Sequence, residues 1–260
     1  MKNLDAPFQE LCFYFGARPE SEALEQLVAA LVTLGARFAG EARVHCGPGL
    51  RDQPFAFITD LIQESVVVKN LTDMRRLLKM PNLRVVQVDL DGATGTLEDV
   101  AEVVTYLDIS PAAVGMDRHP LAIWTEGWLF SGPIRIDEAV AAKAVGMRLY
   151  ERFRTLIGML RPAYAAITHE SPLECPADLR RDPRTLSFYD FYVSRTYLGR
   201  GNTERVKELF IDAYIEELDE GIYVSTWPEF NPAGIEVDVR LLEPRAKEVA
   251  TMIGSVGGLS

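Results

Sequence analysis

The residues whose types suit chemistry are few. They are the histidines His45, His119 and His169, the cysteines Cys12, Cys46 and Cys175, and two short strings, Thr168-His169-Glu170-Ser171 and Gly199-Arg200-Gly201-Asn202. A catalytic zinc needs several His, Cys or carboxylate ligands at helical or loop spacing, and neither HExxH nor CxxC occurs. His45 and Cys46 are neighbours on a predicted strand, so they point to opposite faces and are poorly placed to share an ion. His169 stands close to Ser171, but a nucleophile, base and acid are assembled in space, not in sequence. No G-x-S-x-G elbow is present. The Gly199–Asn202 string falls between a predicted strand and a predicted helix, where main-chain amides can hold an anion. It lacks the third glycine of a dinucleotide loop and the lysine of a P-loop, so a tight turn with an Asn cap is expected. No catalytic residue, metal site or cofactor is predicted.

In the string VVQVDLDGAT a strand runs into Asp89-x-Asp91-Gly92. This resembles the first motif of haloacid-dehalogenase-type phosphatases, over Asp89 and Asp91 only. The resemblance implies a nucleophilic Asp and an acid/base Asp that together hold Mg²⁺. The family's Thr should follow Gly92 directly, and this chain has Ala93 there. Ala93 and Thr94 also stand where a calcium loop requires an oxygen ligand and a glycine. The string therefore reads as a strand leaving a sheet into a polar turn.

The elements that must position these residues follow from periodicity. Strands are expected at 11–16, 41–47, within 55–68 and at 83–92. Helices are expected from Ser21 as cap, over 71–80 and over 97–107. A similar order then recurs: a strand at 120–130, a helix from Asp137 to Leu160 and strands at 163–170 and 187–199. Asn202 is expected to cap a helix over 203–220, followed by a strand at 222–227. A strand near 235–241 and a helix near 245–254 close the chain. The order β-α-β-β-α-β, read twice, predicts an α+β protein of two tandem ferredoxin-like lobes with antiparallel sheets, residues 1–118 and 119–260.

Two features rise above this frame. Parity along the strands of the second lobe sets Trp124, Glu126 and Trp128 on one side, with Glu170 on its strand, Asp190 and Tyr192 on theirs, and Tyr223 and Trp227 on the last. Together they predict one sheet face mixing aromatics and carboxylates, suited to an interface. The second feature is the acidic run Glu208, Asp212, Glu216, Glu217, Asp219 and Glu220, expected at a helix C-terminus. The helix dipole disfavours carboxylates there by about 0.3–1 kcal/mol each, so such a patch suits a basic partner.

The bulk numbers agree with a soluble body. Of 260 residues, 48% are apolar and 25% charged, and the net charge is −11. The excess is shared: 17 acidic against 11 basic residues in 1–118, and 21 against 16 in 119–260. A pI near 4.9 argues against nucleic-acid binding. No apolar run reaches the roughly 20 residues of a membrane span. Three cysteines and no secretory leader predict reduced thiols and a cytoplasmic location. The expected function is a non-enzymatic binding protein of the inhibitor or immunity type, capping a basic protein partner. The alternative is a small-molecule or cofactor enzyme with a pocket on the tandem lobes, using Glu126, Asp190 or His169 as acid/base.

Overall fold

The structure is a computed structural model and describes residues 8–47, 62–93, 104–109, 120–126, 130, 138–171, 173–183 and 188–256. Its strands are β1 (Phe8–Tyr14), β2 (Arg37–Cys46), β3 (Ile62–Val68), β4 (Leu83–Asp91) and β5 (Val104–Ile109). They continue with β6 (Leu121–Glu126), β7 (Tyr164–His169), β8 (Asp190–Ser194), β9 (Tyr214–Leu218) and β10 (Gly221–Ser225). The helices are α1 (Glu20–Thr33), α2 (Leu71–Leu78), α3 (Ala139–Leu160), α4 (Pro176–Arg181), α5 (Arg195–Leu198), α6 (Arg200–Leu209) and α7 (Val239–Val256).

The protein is a mixed α+β fold built on one antiparallel sheet, ordered β3-β2-β4-β5-β6-β1-β7-β8-β10-β9. β1 pairs with β6 on one side and β7 on the other. Its apolar run, Leu11 to Tyr14, is buried on both faces, as expected for a strand covered from both sides. Leu11, Phe13, Ile123 and Ile167 form one core with Leu24 and Leu27 of α1 and Phe153 and Leu156 of α3. Cys12, Tyr14, Tyr164 and Phe191 form the other, with Leu179 of α4, Val206 of α6 and Val249 and Ile253 of α7. Each such buried Leu, Val or Phe contributes on the order of 1.5–3 kcal/mol. Helices α1 to α3 thus cover one face and α4 to α7 the other.

The tandem ferredoxin-like pairing is not what forms. In that topology the first strand lies beside the later strands of its own lobe. Here β2 pairs with β3 and β4, and β1 pairs only with strands beyond residue 119. The ladders β5–β6 and β1–β6 carry the sheet across the expected boundary at 118/119. The β-α-β-β-α-β order of residues 8–91 is present, but element order does not dictate pairing partners.

Local readings shift for physical reasons. Pro19 rather than Ser21 stands at the N-cap of α1, with Glu20 and Glu22 in the first turn complementing the positive helix end. Asn70 caps α2: its side chain accepts from the Asp73 amide at 3.0 Å, and Asp73 accepts from the Lys69 amide at 3.1 Å. Where a helix over 97–107 is expected, Val104–Ile109 pairs with both β4 and β6 as a strand. The strand expected over 187–199 stops at Ser194 and gives way to α5, and residues 235–238 form no strand before α7. The expected cap Asp137 lies outside the described residues. Among them, no helix is long and apolar enough to cross a membrane.

Candidate functional site around Trp227

β10 ends at Ser225, and the chain turns through Thr226 and Trp227 into a 3-10 turn, Pro228–Phe230. Asp190, the first residue of β8, organises this turn. Its Oδ1 accepts from the Ser225 hydroxyl, from the Thr226 amide at 3.1 Å and from the Trp227 amide at 3.5 Å. Burial pushes the Asp190 carboxyl up to about 7, more than those hydrogen bonds lower it, and the charge of Glu229 adds to the rise. Asn231 closes the turn from the other end. Its amide donates to the carbonyls of Trp227 at 2.8 Å and Ile235 at 2.9 Å.

Helix α3 braces the turn from the side. Lys143 donates to the carbonyls of Pro228 and Asn231. Gly146 lets the helix approach: a Cβ there would lie 2.4 Å from the carbonyl oxygen of Glu229. Tyr223 donates its hydroxyl to the Phe230 carbonyl at 3.0 Å. The Phe230 ring stacks on Trp227 with centroids 6.1 Å apart and meets Phe130 at 5.1 Å. Satisfied on all these sides, the turn holds Trp227 half-buried in a fixed position.

Outside the turn runs a groove of about 700 Å³ lined by Phe130, Trp227, Glu229, Glu236, Val239 and Leu242 among others. Val239 is 70% exposed along it. Asp238 is neutralised by Arg240, whereas Glu229 and Glu236 have no cationic partner among the described residues. Most of its lining is apolar, and Glu229 and Glu236 add negative charge that is unpaired among the described residues.

The expected aromatic–carboxylate face is divided between the two sides of the sheet. Ala165 lies opposite Tyr192 in the β7–β8 ladder, so Tyr192 shares a face with Ala165 and Ile167, not with Tyr164. Tyr192 and Tyr223 are buried in the core beneath α3, while Trp124 packs half-buried against the opposite core. Asp190 and Trp227 are brought together at the turn, and Glu170 is exposed just past β7 with φ of 49°. The side chain of Glu126 and all of Trp128 lie outside the described residues.

The acidic run is also rearranged. α6 ends at Leu209, and Glu216 and Glu217 lie on β9, with Asp219 and Glu220 in the turn to β10. No helix dipole acts on them. Glu216 accepts from Arg154 at 2.6 Å and from the Tyr150 hydroxyl, and Glu217 pairs with Lys207 and Arg195. Glu220 meets Arg161 at 3.0 Å, Glu208 meets Arg205 at 3.1 Å, and Asp212 meets Arg245 at 2.5 Å. Apart from Arg205, three residues before Glu208 on α6, the cations come from α3 and its C-cap, α5, α6 and α7, which sequence order does not bring near. Asn202, the expected cap, lies within α6 and donates to the Leu198 carbonyl at 3.0 Å. Sequence reasoning missed Phe230, Glu229 and Glu236; the Pro-Glu-Phe-Asn-Pro string was a signal for the first two, and Glu236 had none.

Among the described residues no group of three or more His, Cys, Asp or Glu is placed to hold a metal ion. No family model matches the chain, and no curated protein matches it. A T6SS protein of Pseudomonas aeruginosa is similar among solved structures, at 11% identity and a TM-score of 0.40, over 95% of this chain and 81% of that one. A likeness at that level carries no functional argument.

Proposed function

We propose that this chain is a non-enzymatic binding protein whose groove beside Trp227 docks a basic segment of a protein partner. The observation that supports the reading is the pairing state of the carboxylates. Those on β9 and its turn are largely matched by arginines and a lysine of this chain, whereas Glu229 and Glu236 have no cationic partner among the described residues and line a groove with exposed apolar surface. An incoming cation would meet them without breaking an existing ion pair, and Trp227 and Val239 would bury apolar area. An inhibitor or immunity-type role in the cytoplasm, against a basic toxin or enzyme, is the finer form of this proposal.

The test is comparative affinity capture with the intact chain and with the double variant Glu229→Lys, Glu236→Lys. The reading expects basic proteins captured by the parent, lost from the variant and released as ionic strength rises. Capture that ignores both the variant and the salt would overturn it.

A further inference from the structure

A second cavity, also walled by Trp227, has a volume of about 280 Å³ and is lined by Gln9, Ile167, His169, Asp190 and Phe230 among others. It shares no carboxylate with the outer groove. Three adjacent strands each bring one polar residue to this end of the sheet. Gln9 of β1 lies opposite Thr125 of β6 and opposite His169 of β7, so the three side chains share a face. Asp190 lies opposite Ile167 on that same face.

This row is deeply buried: Gln9 is 1% exposed and Thr125 2%. Gln9 Nε2 donates to the Thr168 carbonyl at 2.6 Å. A carbonyl only accepts, so that contact fixes which end of the amide is nitrogen and leaves Oε1 as an acceptor. Gln9 Oε1, Thr125 Oγ1 and His169 Nδ1 are all buried without a hydrogen-bond partner among the described residues. Native proteins rarely leave such groups unsatisfied, and two of the three, on Gln9 and His169, line the cavity, where a bound molecule would complete them. The cavity offers that something an amide oxygen and a carboxylate, with Trp227, Phe230 and Ile167 as apolar walls. The complement is a compact molecule carrying N–H donors, positive charge and an apolar body. The volume sits at the small end of ligand sites, which suits about the size of benzylamine.

We propose that this cavity binds a small organic primary amine, its ammonium donating to Gln9 Oε1 and the Asp190 carboxylate and its body packed against Trp227. The site shares the Trp227 wall with the docking groove but none of its carboxylates. Calorimetric titration of the full chain with benzylamine at pH 8, where the Asp190 carboxyl is ionised, and with benzyl alcohol as the uncharged counterpart, tests it. Saturable one-site binding of benzylamine is expected, at least tenfold tighter than benzyl alcohol. Gln9→Met, close in volume and lacking the amide, should weaken benzylamine at least tenfold. In the unaltered chain, the Gln9 side-chain amide and Trp227 indole NMR signals should shift as benzylamine is added, a readout that needs no variant. No saturation up to about 10 mM, equal affinity for the alcohol, or unmoved Gln9 and Trp227 signals would each overturn the proposal.

Discussion

Gly146 and Glu229 touch backbone to backbone: a side chain begun at Gly146 would stand 2.4 Å from the Glu229 carbonyl oxygen. Gly146 is therefore the contact through which α3 fixes the turn that presents Trp227. Gly146→Ala should cost about 1–3 kcal/mol through overpacking, despite the better helix propensity of alanine. Gly158 on the same helix has open space around it, so Gly158→Ala should be neutral or stabilising by up to about 1 kcal/mol. Urea denaturation of the two variants separates the contact from the propensity.

Asp190 makes stability depend on pH in the direction opposite to an ion-paired carboxylate. Its folded carboxyl is pushed up to about 7 by burial, above the ordinary 3.8 of the unfolded chain. Between those values the folded state holds a proton that the unfolded state has released, so stability falls as pH rises. At ~1.4 kcal/mol per unit, the loss from this one group is about 4 kcal/mol by pH 7. Asp190→Asn cannot lose that proton. The difference between parent and variant melting curves should shrink or reverse from pH 4 to pH 7; a constant difference would remove this account.

The ion pairs differ in what they contribute. Glu217 is exposed, and Glu217→Gln should leave the denaturation midpoint nearly unchanged. Arg84 is buried on β4 and pairs with Glu20 in the first turn of α1. Arg84→Met should cost about 3–5 kcal/mol, because a largely buried carboxylate is left without its cation. Paired denaturation curves at low and high salt distinguish the two, since only the exposed pair is screened.

Thiol labelling should be ordered by burial. Cys12 and Cys175 are buried and Cys46 is half-exposed, and all three are free. Burial raises the Cys12 and Cys175 thiols, and the Cys12 thiol also contacts the Glu10 carboxylate at 3.5 Å. A thiol reagent added to the folded protein should modify Cys46 first, with the other two reacting only on unfolding.

Parity within each strand was legible, and it sorted Tyr192 from Phe191 and Tyr223 from Ile222 correctly. Parity does not say which set on one strand meets which on the next. That depends on register, and register places Ala165 rather than Tyr164 opposite Tyr192. β9 was hidden for a different reason. Val206, Leu209, Phe210 and Ala213 keep a helical period, and glutamate favours helices, so the segment reads as one long helix. The chain turns after Leu209, and pairing with β10 decides the state of Tyr214–Leu218. Gln9 could have been noticed: Gln9 and Glu10 are adjacent polar residues in an apolar strand, and adjacent residues must face both sides.

The position of β1 ties the protein's assembly to its length. Gln9 and Thr168 are hydrogen-bonded although 159 residues apart, and Leu11 finds its strand partners in β6 and β7. During synthesis the apolar strand Phe8–Tyr14 leaves the ribosome well before either flanking strand exists. Until then it is a bare edge, open to pairing with another chain. Closure must bridge long loops, which slows folding. The strand made earliest among those described is thus one of the last to find shelter, and nascent chains halted before residue 164 are the ones for which chaperone dependence should be greatest.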